Sequence, residues 1–158
     1  RFRPAGHSSS SHGYISGGQE PPPAPVTDKI EKFSFAVDAN GVDVGNLSVA
    51  RYYTHGQSSS THGYTSGGVT PATNNSDVID KFSFSTDGNA TDIGNLVEGK
   101  YSLTTQSSIT NGYTAGGFTG PPYIAKNNID KFPFSSDTNA SDVGDLTAAK
   151  YRGVGLED

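Results

Sequence analysis

Arg51-Tyr52-Tyr53 opens a stretch that runs through the serine tract Ser58-Ser59-Ser60 to His62-Gly63-Tyr64-Thr65-Ser66-Gly67-Gly68. A polar spacer leads to Ile79-Asp80-Lys81-Phe82-Ser83-Phe84. The turn-rich Asp87-Gly88-Asn89-Ala90-Thr91-Asp92-Ile93-Gly94-Asn95-Leu96 follows. The same parts recur in the same order on either side. Gly13, Gly63 and Gly112 align at steps of 50 and 49, and Phe33, Phe82 and Phe132 at 49 and 50. A fixed period near 50 residues is the mark of a repeat architecture, in which no copy buries its apolar face alone. The units are 1–50, 51–99 and 100–149, and 150–158 is a tail or the start of a fourth.

Within a unit, the segment Ile30-Glu31-Lys32-Phe33-Ser34-Phe35 reads as a strand. Period 2 sets Glu31, Phe33 and Phe35 on one face and Ile30, Lys32 and Ser34 on the other. Pro133 lies between Phe132 and Phe134 in the third copy, so that strand is expected to be an edge strand or bent. Asp38-Ala39-Asn40-Gly41 marks a tight turn, after which Val44 and Leu47 begin a short strand. No stretch carries apolar residues at helical spacing. Each unit gives four short strands, at about 51–58, 62–67, 78–85 and 93–98 in the middle copy, which is the spacing of a propeller blade. Pro21-Pro22-Pro23-Ala24-Pro25 is an insertion that cannot join a ladder and reads as a stiff surface loop, with a proline-rich docking peptide as the alternative.

Composition bounds the function. Of 158 residues only 32% are hydrophobic, and 20 Gly and 9 Pro lean toward disorder. The 8 Phe and 8 Tyr fall at recurring positions, however, and argue for a folded chain with a thin core. The net charge of −5 is scattered and no Lys/Arg cluster occurs, so nucleic-acid binding has little support. No apolar run approaches the ~20 residues of a membrane helix. Cysteine is absent, which removes disulfides, thiolate sites and cysteine nucleophiles. Methionine is absent even at position 1, so the chain is expected to be processed or to be a segment of something longer.

The order of parts resembles the kelch repeat, the β-propeller blade also found in galactose-oxidase-like proteins. Arg1, Arg51, Lys100 and Lys150 match the basic residue that opens the inner strand. Tyr14 with Gly17-Gly18, Tyr64 with Gly67-Gly68, and Tyr113 with Gly116-Gly117 match the aromatic and double glycine. Phe33/Phe35, Phe82/Phe84 and Phe132/Phe134 lie on the third strand. The tryptophan usual before the fourth strand is missing. The wording also looks like kelch-like repeats in uncharacterised phage proteins that are plausible tail or appendage components. The resemblance implies an all-β fold of three four-stranded antiparallel blades. Three blades do not close a ring, since propellers use four to eight. The ring is then completed by oligomerisation or by further blades. A β-trefoil or β-prism, and an open stack or solenoid, are the rival architectures.

Candidate chemistry is sparse. Catalysis by serine needs one serine set apart by an oriented base. Here serines recur in every unit, Ser58 and Ser59 of the tract Ser58-Ser59-Ser60 having counterparts in all three, and His62 becomes Asn111. Galactose-oxidase chemistry needs a cysteine, and sialidases carry tryptophan-bearing Asp boxes; neither residue occurs. The chain therefore reads as a non-enzyme. The sets Asp38/Asn40/Asp43, Asp87/Asn89/Asp92 and Asp137/Asn139/Asp142 supply oxygen ligands of the kind Ca²⁺ takes, and equally the Asx side chains that cap their own turns. No other cofactor is indicated. Asn46, Asn74, Asn89 and Asn139 head Asn-x-Ser/Thr triplets, glycan acceptors only in a glycosylating context. The repeated tyrosines are expected to pack between units, with sugar stacking as the alternative. The pairs Glu31-Lys32, Asp80-Lys81 and Asp130-Lys131 are expected to bridge neighbouring units. The overall expectation is a structural and interaction module of a virion or extracellular appendage, partnered by itself, with surface glycans as the lectin-like alternative.

Overall fold

The computed structural model describes residues 1–152. The first repeat forms β1 (Ala5–Ser8), β2 (His12–Ser16), β3 (Lys29–Ser34) and β4 (Val42–Asn46). The second forms β5 (His55–Ser58), β6 (His62–Ser66), β7 (Val78–Ser83) and β8 (Thr91–Asn95). The third forms β9 (Thr104–Ser107) and β10 (Asn111–Ala115), a small extra hairpin of β11 (Phe118–Thr119) and β12 (Ile124–Ala125), then β13 (Asn128–Pro133) and β14 (Ser141–Asp145). The protein is all-β. Each repeat gives one four-stranded antiparallel meander, and β11–β12 make a separate two-stranded sheet.

Local chemistry explains the meander. The first hairpin is closed by serine: the Ser9, Ser59 and Ser108 hydroxyls each accept from the backbone N–H three residues on, at 3.0 Å. Across the second pairing Gly13 faces Phe33, Gly63 faces Phe82 and Gly112 faces Phe132. A Cβ on Gly63 would meet the Phe82 ring at 2.4 Å, so the ring lies over bare backbone. The double glycines have left-handed backbones, φ 63° and 106° at Gly67 and Gly68. There Gly68 N–H donates to the carbonyl of Lys100, as Gly18 does to Arg51 and Gly117 to Lys150. The turn after each β2-type strand thus grips the residue that opens the next repeat.

The three sheets pack face to face in chain order, with β1, β5 and β9 adjacent along one edge. Serines link that edge: Ser8 N–H donates to Ser58 Oγ and Ser58 N–H to Ser107 Oγ. The period-2 assignment of the third strand holds. Tyr14, Ile30 and Leu47 of the first sheet pack against Phe82 and Phe84 of the second. In the same way Tyr64, Ile79 and Leu96 pack against Phe132 and Phe134 of the third. Tyr14 stacks on Phe84 at 4.8 Å between centroids and donates its hydroxyl to the Phe84 carbonyl; Tyr64 stacks on Phe134 at 4.6 Å. Tyr14 and Tyr64 therefore pack between units, as expected, whereas Tyr113 of the third sheet is only half-buried.

One expectation is corrected, and one rival architecture is set aside. β13 is not an edge strand, since it lies between β10 and β14. Pro133 is its last residue, beyond the final β13–β14 pair at Lys131–Ser141. Because Phe134 N–H points to Thr110, the missing N–H at 133 faces the side where the ladder has ended, and nothing is lost. A trefoil or prism closed on itself is not seen among the described residues. Phe33 and Phe35 at one end are exposed, while their counterpart Phe82 is 4% exposed.

Candidate functional site

The acidic residue of each third strand does not reach across to the neighbouring lysine. The third strand keeps its alternation, so Asp80 lies on the face of Phe82, opposite Ile79, and the β-bulge in each sheet puts its extra residue, Val44, Ile93 or Val143, on the fourth strand. Asp80 meets Arg51 at 2.6 Å and Asp130 meets Lys100 at 3.1 Å, all four fully buried. Arg51 also donates to the carbonyls of Thr65, Gly67 and Val78 and to Ser76 Oγ. Burial pushes its pKa down and Asp80 pulls it back up. Lys100 is held by charge at short range without hydrogen-bond geometry. In the first sheet Arg1 pairs with Glu31 and Glu20. The basic opener is thus the buried centre of the second and third repeats, and in the first it meets partly exposed acids. The signal was in the sequence: a cation precedes the acid by 29 or 30 residues in every copy.

The lysines do bridge sheets, but to the turn aspartates. Lys32 pairs with Asp87 at 2.5 Å, and Lys81 with Asp137. Asn89 Oδ1 accepts from Asn46 N–H and Asn139 Oδ1 from Asn95 N–H, both at 3.0 Å between sheets. Asp43, Asp92 and Asp142 accept from the N–H two residues on. In the second and third copies the three oxygen-bearing side chains of each set serve three different partners. Among the described residues no group of three or more His, Asp or Glu converges as for a metal ion. Asp38 and Asn40 carry no such bond. The carboxamides of Asn46, Asn74, Asn89 and Asn139 are all on exposed residues. The Ser11–His12 and Thr61–His62 contacts are between chain neighbours on a turn, and Thr110–Asn111 repeats them without a histidine.

Sequence reasoning missed the position two residues after each basic opener. Arg3, Tyr53, Ser102 and Arg152 all adopt left-handed backbone, φ 54° to 57°. For residues other than glycine this costs ~1–3 kcal/mol each, and such strain clusters at functional sites. The conformation lets Tyr53 N–H reach the Arg3 carbonyl and Arg152 N–H the Ser102 carbonyl, both at 3.0 Å. Backbone geometry is held constant here while the side chain varies from arginine to tyrosine to serine. Elsewhere in the repeat constant geometry goes with a constant residue, as at Gly-Gly and Phe-x-Phe.

All four side chains line one cleft of about 470 Å³. Tyr52, Tyr101, Phe118 and Tyr123 add ring surface, and Asn74 a carboxamide. The Arg3 guanidinium lies 3.9 Å above the Tyr53 ring, and Tyr53 is 5.5 Å from Tyr101. Burial raises the Tyr101 pKa, with the neighbouring tyrosines adding to it, so its hydroxyl stays protonated. The described lining holds two arginines and no carboxylate. His55 borders an adjoining cavity, and burial lowers its pKa to about 4. The cleft thus offers ring faces, hydroxyls and positive charge.

No family model matches the chain, and no curated protein does. It is similar in structure to the solved structure of YjhT, with a TM-score of 0.76 and 10% identity over 94% of this chain. The chain spans 53% of YjhT's length. At that identity the likeness concerns the fold.

Proposed function

We propose that the protein is a non-enzymatic structural and interaction module of a virion or extracellular appendage, built from kelch-like blades of β-propeller type. Further blades or further chains would complete the ring. One observation carries the reading. The facing sides of the three sheets are consumed by packing on each other, and the charged pairs Arg51–Asp80 and Lys100–Asp130 are fully buried, which leaves loops and the two outer faces for contact with partners. A rigid stack with polar loops at its ends is suited to presenting surface. The prolines at 21, 22, 23 and 25 are exposed and stiffen one such loop. The reading calls on no cofactor.

The arginine- and tyrosine-lined cleft favours a second reading, a lectin-like protein that stacks a saccharide on its rings. Two guanidinium groups would favour a sugar bearing negative charge. A glycan array followed by titration separates the two. The scaffold reading expects no saturable binder. Saturable binding that is lost in Tyr53→Ala would replace it with the lectin.

A further inference from the structure

The main contacts between the first and second sheets are repeated between the second and third. In each, a tyrosine of one sheet stacks on a phenylalanine of the next, a lysine meets an aspartate, and an asparagine Oδ1 accepts a backbone N–H. Each also has a glycine pressed on the next sheet's turn: a Cβ on Gly45 would lie 2.1 Å from Gly88 O, and one on Gly94 2.7 Å from Thr138. The two outer sheets each carry the unused half of this interface. On the third sheet Tyr113 and Ile129 are half-buried, whereas Tyr64 and Ile79 are buried. Gly144 there has nothing within 4 Å of its Cβ position. On the first sheet Phe33 and Phe35 are 38% and 55% exposed. The repeat alignment sets Lys131 opposite Asp38 and the Asp145 N–H opposite Asn40. Neither Lys131 nor Asp38 is ion-paired among the described residues, although Lys32, Lys81, Asp87 and Asp137 all are.

We propose that a second copy of this chain docks head to tail, its first sheet on the other's third sheet, and that two such contacts close a ring of two chains. The inference rests on reading the sheets as blades, and it names the partner. One chain carries both halves of the interface, and they match in shape, charge and hydrogen bonding. Two copies also have roughly the length of the structurally similar chain. One overlap must be relieved. Gly117 N–H already holds the Lys150 carbonyl, and Arg152 N–H the Ser102 carbonyl. These are the places that Arg1 and Arg3 of the incoming copy would take, so Lys150 and Arg152 must vacate them.

The test is the mass of the full chain in solution by sedimentation across a range of concentrations. The expected value is twice the 16.5 kDa chain mass. Phe35→Asp and Tyr113→Asp lie outside the two internal interfaces, and each should raise the dissociation constant at least tenfold. Mixed together, the two variants should associate, because one intact head meets one intact tail. Lys131→Asp and Asp38→Lys should each weaken the dimer, and the double variant should restore it. A chain ending at Ala149 should associate more tightly. A monomer at all concentrations overturns the proposal, and a ladder of larger masses overturns closure at two. Association of Tyr113→Asp at wild-type strength would mean that the phenylalanine patch pairs with itself, which also overturns it. A monomer that binds no sugar leaves the scaffold reading standing, whereas a dimer that binds sugar removes that reading and keeps the ring.

Discussion

Gly63 shows how narrowly a single residue is constrained here. With a Cβ 2.4 Å from the buried Phe82 ring, Gly63→Ala must displace the ring or the strand. Overpacking of this kind costs ~1–3 kcal/mol. Urea unfolding should show that loss, while Gly6→Ala, with open space at its Cβ, should leave the midpoint nearly unchanged. Asp80 is held more strongly still. Asp80→Asn leaves a buried guanidinium without its counter-charge and should cost ~3–5 kcal/mol, read as a drop in thermal midpoint. Replacing both partners by Arg51→Met with Asp80→Leu should not recover it, because the carbonyls of Thr65, Gly67 and Val78 would lose their donor. His7 gives a pH dependence. Its Nδ1–H donates to the Gln57 carbonyl, which leaves Nε2 to accept from Ser16, and burial lowers its pKa to about 4. The unfolded chain, with histidine near 6.5, therefore binds the extra proton first. The contribution is complete above pH 6.5 and is lost as pH falls toward 4, roughly 3 kcal/mol in all. Urea midpoints at pH 7 and 4.5 should differ less in His7→Gln, which takes the residue found at Gln57, than in the parent chain.

At the scale of strands and turns, much was legible in the sequence. Alternation along the third strand gave the right faces, because in the middle copy the rings of Phe82 and Phe84 meet the first sheet and Ile79 the third. The hairpin serines and the double glycines announced their turns. The buried ion pairs were hidden, since an acid beside a lysine reads as a solvated strand edge, and only the basic opener, 29 residues earlier in sequence, closes over Asp80. The cleft was hidden for the opposite reason. Arg3, Tyr53, Ser102 and Arg152 share a backbone shape but no side-chain chemistry, so no pattern of residue types marks them. Pro133 was misjudged because its place at the very end of β13 depends on where β14 stops. The lysine–aspartate links between sheets are largely exposed, so Lys81→Ala should cost under about 1 kcal/mol in urea unfolding and less still in high salt.

For the molecule as a whole, stability is expected to follow the stacking order. The second sheet has a neighbour on each side and the outer two have one, so stability is closer to a sum of repeats and interfaces than to a single core. Amide exchange should be slowest in β6 and β7 and faster in β3 and β13 at equal solvent protection. The claim beneath all of this is that each repeat makes one sheet and that the next repeat covers its tyrosine. Ring-to-ring nuclear Overhauser contacts measure it directly. Tyr14 should show them to Phe84, and Tyr64 to Phe134, each across 70 residues of sequence. If Tyr14 instead touches only rings of its own repeat, Phe33 and Phe35, the account is contradicted.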